Sequence, residues 1–129
     1  MREVAILGVG QTPVREHWDQ SLRQLAVQAG RAAMTDAGVD NVDAIYVSNM
    51  NSDRLGGQRH LGALVADYLG LRGTEAVRLE AACGSAGSAM RQGLLAVASG
   101  ELDRVLVIGV EKLTERLGCE TTAALATAA

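Results

Sequence analysis

The chain has 129 residues, enough for one domain with a modest core and too few for two full-sized ones. Apolar residues make up 48% of it, yet only Trp18, Tyr46 and Tyr68 are aromatic, so Val, Leu, Ile and Ala must build the core at close range, as in layered α/β folds. A formal net charge of −3 with no basic stripe argues against nucleic-acid binding, and no apolar run approaches the ~18 residues that a bilayer span requires.

Met1-Arg2-Glu3-Val4 carries an acid and runs straight into a strand pattern, unlike a signal peptide, so a cytoplasmic location is expected. Val4 to Gly10 is a continuous apolar run closed by glycines and predicts a buried strand. Gln11 to Gln20 reads as a polar loop around the single proline, Pro13. Ser21-Leu22-Arg23-Gln24 has the spacing of a capping box, and Leu22, Leu25, Ala26, Ala29, Ala32, Ala33 and Ala37 mark one face of a helix that Gly38 stops. Ala44 to Ser48 predicts the second strand, and Asn49 to Gln58 a contact loop. Leu61, Leu64, Val65, Tyr68 and Leu69 follow helical spacing up to Gly70. Ala76 to Ala81 predicts a third strand whose Arg78 and Glu80 imply incomplete burial.

Cys83 to Ser99 predicts a helix whose first turns carry almost no side-chain bulk. Glycine in a helix costs roughly 1 kcal/mol against alanine. The run Gly84-Ser85-Ala86-Gly87-Ser88 therefore makes sense as a central helix packed between layers. Val105 to Val110 is the fourth and most hydrophobic strand; the pattern weakens after Glu111. Strands alternating with helices predict βαβ units and a mostly parallel sheet. The Ala/Thr-rich stretch from Thr121 to Ala129 has no clear stop, which suggests one piece of a longer protein.

Cys83 is the candidate catalytic residue. It falls where a strand hands over to a helix, where unpaired N–H groups and the helix dipole favour thiolate, the nucleophilic form. Spacing alone leaves two readings open, a nucleophile or an inert buried cysteine. His17 and His60, the only histidines, lie in or beside polar loops and read as solvated surface residues. Glu80 is not read as a general base, because a neighbouring carboxylate raises a thiol pKa; it would steady the loop or pair with Arg78 or Arg91. Cys119 reads as a structural or incidental surface thiol. Two cysteines make no disulfide framework, and no Cys/His set has metal-ligand spacing, so no metal site is expected. Gly8-Val9-Gly10 follows a strand pattern as a dinucleotide fingerprint would, but Pro13 stands where the third glycine belongs; these read as tight-turn glycines.

Glu80-Ala81-Ala82-Cys83-Gly84-Ser85-Ala86-Gly87-Ser88-Ala89 resembles the nucleophile segment of the thiolase superfamily. The opening Val4 to Pro13, the segment His60 to Gly70 and Val107 to Thr114 match in order and spacing, so the resemblance covers nearly the whole chain, residues 1–129. It looks most like the archaeal and sterol-carrier-protein-x type; degradative thiolases usually carry asparagine where Glu80 stands. The resemblance implies a layered αβαβα sandwich of two similar halves, this chain being most of the first βαβαβαβ half. It implies an acyl-CoA acyltransferase in which Cys83 takes the acyl group, its backbone N–H helps form an oxyanion hole, and Claisen condensation or thiolysis follows. Coenzyme A thioesters enter as substrates, with no separate cofactor. The family's activating histidine and the second cysteine of its Cys-x-Gly motif belong to the second half; Cys119 is followed by Glu120-Thr121 and does not replace that cysteine. The expected partners are therefore acyl-CoA, a C-terminal thiolase half in the same or another chain, and further copies in a homodimer or tetramer. A ketoacyl synthase or hydroxymethylglutaryl-CoA synthase relative, or a non-catalytic half-thiolase acting as an assembly subunit, are the alternatives.

Overall fold

Ser21 opens the first helix as its spacing predicts. Its Oγ accepts the Gln24 N–H at 3.3 Å, and Gln24 Oε1 accepts the Ser21 N–H at 2.7 Å. Helix α1 then runs over Leu22–Ala37 and closes on Gly38, whose φ of 65° only glycine adopts without strain. The computed structural model that shows this describes residues 1–128.

Strand β1, Ala44–Ser48, is buried along its whole length. It is the centre of a three-stranded parallel sheet with β2, Glu75–Leu79, on one side and β3, Val105–Gly109, on the other. Tyr46 stands opposite both Val77 and Val107. Both faces of β1 are covered, which explains a run of apolar residues without alternation. Ile45 and Val47 meet Leu106 and Ile108 under α1 and under helix α3, Leu61–Leu69. Ala44 and Tyr46 meet Val105 and Val107 under helix α4, Ser85–Ser99. The crossover from β1 to β2 leads one way along the sheet, and that from β2 to β3 leads back past β1. Right-handed crossovers in opposite directions put α3 and α4 on opposite faces. The result is three layers, α/β/α.

Close approach is achieved with glycine. A Cβ on Gly62 would lie 2.7 Å from the Val77 carbonyl carbon, so α3 rests directly on the β2 backbone. On the other face, Ser85, Ala89 and Gly93 of α4 are buried at i, i+4 spacing. The expected burial of α4 between two layers holds for this face alone. Met90 and Leu94 are exposed, and Gly87 has open space around it.

The predicted strand from Val4 to Gly10 is not one. The segment makes no ladder, and Ile6 is 76% exposed. It forms a strap tied at both ends. Arg2 N–H reaches Ala98 O at 3.0 Å, and its guanidinium meets Val97 O at 2.6 Å and Asp103 at 2.9 Å. At the other end Val9 N–H reaches Asp36 Oδ2 at 2.9 Å. Gly8 and Gly10 lie so close to α1 that a Cβ would fall 2.4 Å from the amide nitrogens of Ala37 and Ala33. These glycines serve close approach rather than tight turns. A cleft of about 590 Å³ separates the strap from the edge of β3. The sequence pattern signalled an apolar run; it carried no information about which partner would cover it.

Two elements were not anticipated. Ser52–Gly56 forms a short helix, α2, inside the predicted loop. Gly118–Leu125 forms α5, where Glu120 Oε2 accepts the Leu117 N–H at 3.2 Å. No helix among the described residues is long and apolar enough to cross a membrane.

Candidate active site

The carboxyl ends of all three strands leave the sheet on the same side, the usual place for ligands in parallel α/β sheets. β2 ends at Leu79, whose carbonyl accepts the Asn49 N–H at 3.2 Å, and the chain then reverses into α4 through a 3-10 turn, Ala82–Gly84. Cys83 is the middle residue of that turn, and it is exposed.

The turn is tightly stitched. Ser85 Oγ accepts the Ala81 N–H at 2.8 Å and donates to Ala82 O at 2.6 Å. Gly84 N–H reaches Ala81 O at 2.9 Å, and the Glu80 carboxylate accepts the Ala82 N–H. These bonds hold Ala82 at φ 49°, the one non-glycine residue with positive φ among those described. A left-handed alanine costs about 1–2 kcal/mol, so the neighbouring bonds over-determine the geometry. Strain of this kind lies immediately before an exposed cysteine.

Glu80 therefore steadies the loop, one of its two expected roles. Arg78 pairs elsewhere: its guanidinium lies 3.6 Å from Asp53 and donates to Ser52 Oγ at 3.0 Å and Met50 O at 3.3 Å. The surface expectation fails for His17, which is only 6% exposed, its Nε2 lying 2.7 Å from Pro13 O. The ring fills the loop before α1. His60 is exposed at the start of α3. Neither histidine hydrogen-bonds to the Cys83 turn among the described residues. Cys119 is exposed in the first turn of α5, as an incidental thiol would be.

A junction between strand ends escaped sequence reasoning. Asn49 Nδ2 donates to Val110 O at 2.9 Å and to Glu111 Oε1 at 3.0 Å. Glu111 Oε2 accepts the N–H groups of Met50 and Asn51 at 2.9 and 3.3 Å, and Asn49 Oδ1 accepts the Ser52 N–H at 2.7 Å. One carboxylate thus ties the ends of β1 and β3 together beside the turn-bearing end of β2. An acid directly after the most hydrophobic strand, with an Asn-rich loop elsewhere, was the available signal.

Comparison with known proteins bears on this geometry. The family described as "Thiolase, N-terminal domain" matches residues 4–129. The chain is 46% identical over 130 residues to an acetyl-CoA acetyltransferase of Methanothermobacter thermautotrophicus, covering 99% of this chain and 33% of that protein. It is 48% identical over 117 residues to an acetyl-CoA acetyltransferase of Methanocaldococcus jannaschii, covering 89% and 30%. Among solved structures, 3-oxoacyl-[acyl-carrier-protein] synthase III from Aquifex aeolicus superposes with a TM-score of 0.72 at 27% identity, over 78% of this chain and 33% of that one. The chain thus spans about a third of the length of the relatives it matches.

Proposed function

Because the chain belongs to the thiolase superfamily and matches its N-terminal domain, we propose that it supplies the nucleophile-bearing part of an acyl-CoA acyltransferase, with Cys83 as the residue that receives the acyl group. The observation that carries this reading is the exposed Cys83 on a strained strand-to-helix turn at the carboxyl end of a parallel sheet.

In the proposed first step the deprotonated Cys83 sulfur attacks the carbonyl carbon of an acyl-CoA thioester. The bond from that carbon to the CoA sulfur breaks, CoA leaves as thiolate and takes up a proton, and the acyl group stays on Cys83. The Cys83 N–H would help stabilise the oxyanion of the tetrahedral intermediate, since the N–H groups of Ala81, Ala82 and Gly84 are engaged within the turn. A carbanion from a second acyl-CoA then attacks the acyl-cysteine; in reverse, CoA cleaves a 3-ketoacyl-CoA. The base that takes the thiol proton and the acid that serves the second step come from a C-terminal half, in the same or another polypeptide. The open flank of α4 supports that assignment, because Gly87 is kept small with nothing from this chain against it. β2 is an edge strand of the sheet, and the side of it that faces away from β1 supports self-association into a dimer or tetramer.

The likeness to a 3-oxoacyl-[acyl-carrier-protein] synthase III favours a second reading with the same first step, in which the second acyl group is carried by an acyl carrier protein rather than by CoA. Mass spectrometry of the Cys83 peptide, after incubation with the downstream half and acetyl-CoA, tests the shared step. A gain equal to one acetyl group, absent in Cys83→Ala, is expected. An unmodified peptide under turnover refutes both enzyme readings and leaves an assembly subunit. Use of an acyl-carrier-protein thioester rather than acyl-CoA in the second step separates the two enzymes.

A further inference from the structure

The cleft of about 590 Å³ beside β3 has four walls. Ala29, Gly30 and Ala33 of α1 close one face, and Met90, Gly93 and Leu94 of α4 close the other. The edge of β3 and the strap from Val4 to Gly10 form the two sides. The strap is laid out alongside β3. It starts beside Asp103, just before that strand, and Gly8 and then Gly10 climb α1 from Ala37 towards Ala29. Because α1 ends where β1 is about to start, this climb follows the direction of β3. The strap touches both helical layers, through Arg2 on the last turn of α4 and through Gly8 and Gly10 on α1, which sets it in line with the sheet. Among the described residues it makes no backbone bond to β3.

The backbone groups facing the cleft are unpaired. Val110 N–H reaches Ser48 O at 3.1 Å. Successive residues of a strand direct their backbone groups to opposite sides, so Leu106 and Ile108 bond to β1, while the N–H and C=O groups of Val105, Val107 and Gly109 point outward. On the strap, only the N–H groups of Arg2 and Val9 are engaged among the described residues, by Ala98 O and the Asp36 carboxylate.

That combination excludes two occupants. A hydrocarbon chain suits the apolar faces but leaves the β3 groups unmet, at ~1–3 kcal/mol for each one buried. An α-helix uses its own backbone groups internally and has none to offer. An extended peptide satisfies both demands, pairing sideways through its backbone and sending side chains alternately to α1 and α4. Since both faces are apolar, it must carry a continuous apolar run, as a strand covered on both sides does.

We infer that the cleft receives a further β-strand, of about five residues to match β3, supplied by the C-terminal portion and inserted between β3 and the strap. The inference rests on the proposed C-terminal half. The chain covers 33% of its relative from Methanothermobacter thermautotrophicus, so about two-thirds of such a polypeptide lies outside it and can supply the strand. The residues directly after β3 do not fill the place; they lead away to α5, with Arg116 Nε donating to Leu55 O at 3.1 Å on α2.

Residue-resolved hydrogen exchange of the whole polypeptide tests this. The Leu106 and Ile108 amides, bonded to β1 in any case, are the internal standard. The Val105, Val107 and Gly109 amides should exchange as slowly as those two, about a hundredfold or more below a free amide. Free-amide rates at the three positions would overturn the inference. So would equally slow exchange in residues 1–129 alone, which would assign the cleft to a second copy of this chain. Cys83→Ala should leave the pattern unchanged. The two readings therefore fail separately: slow exchange without acetyl transfer sinks the role of Cys83, and an acetylated Cys83 with free-amide rates sinks the strand.

Discussion

Replacing Gly62 by alanine should destabilise the protein, although alanine is the better helix former. The added Cβ would lie 2.7, 2.9 and 3.0 Å from the carbonyl carbon, nitrogen and oxygen of Val77. Carbon atoms pack no closer than about 3.5 Å, so α3 would have to retreat from β2 by about 0.8 Å. All three obstacles are backbone, and no side chain can rotate aside. Overpacking of this kind costs ~1–3 kcal/mol. The propensity gain of alanine over glycine is at most ~1 kcal/mol, and less at the second residue of a helix. The net loss should be about 1–2 kcal/mol, a fall in Tm of roughly 3–8 °C at this chain length. Gly87→Ala is the matched control. It is also helical, nothing lies within 4 Å of its absent Cβ, and it should gain ~0.5–1 kcal/mol. Urea unfolding followed by circular dichroism measures both. A Gly62→Ala protein as stable as the parent would mean that α3 does not rest on the β2 backbone.

Asp43 accepts the N–H groups of Arg104 and Asp103 at 2.8 and 2.9 Å, and these bonds, Arg104's first, hold its carboxyl below the ordinary value of 3.8. A depressed native pKa contributes stability above the unfolded pKa that is lost as pH falls through the native one. Asp43→Asn should therefore be less stable than the parent at pH 7, and the gap should close as the pH is lowered below about 4; urea titrations across that range check it. At Ala82, glycine removes ~1–2 kcal/mol of left-handed strain against ~0.4–1 kcal/mol of added unfolded-chain entropy, so Ala82→Gly should be neutral to slightly stabilising. Ala82→Val should lose more than about 1 kcal/mol by the same measurement, since a β-branched residue fits that region worst. Glu111→Ala leaves the Met50 and Asn51 N–H groups without their acceptor, while Asn49 Nδ2 keeps Val110 O, at ~1–3 kcal/mol for a buried donor left unmet. Hydrogen exchange at Met50 and Asn51 should speed up markedly, and unchanged exchange would show that the carboxylate does not tie the strand ends.

Local signals carried much of this fold. The capping box at Ser21, the stop at Gly38, the limits of β1 and the span of α3 are all written within a few neighbouring residues, and those elements stand where the pattern put them. The position of Cys83 was legible for the same reason, as a strand end meeting a helix start. Its support was not. Nothing in the composition of Glu80 to Ser85 says that Ala82 takes a left-handed conformation, or that Ser85 bonds to both sides of it. The Asn49–Glu111 junction joins residues far apart in the chain, which no periodicity can signal. His17 looked solvent-facing because its neighbours are polar, yet the loop wraps around it. Val4 to Gly10 failed differently: hydrophobicity reports a need for cover, and here helix contacts at both ends won over strand pairing.

The free margin of β3 bears on how the protein behaves at high concentration. Its outward amide and carbonyl groups make a rail onto which the same rail of another molecule can zip. The strap from Val4 to Gly10 stands across that approach as a bumper, and Arg2 is its clasp, gripping the end of α4 and Asp103. Losing the clasp would leave every fold element intact and still lay that rail open to another molecule.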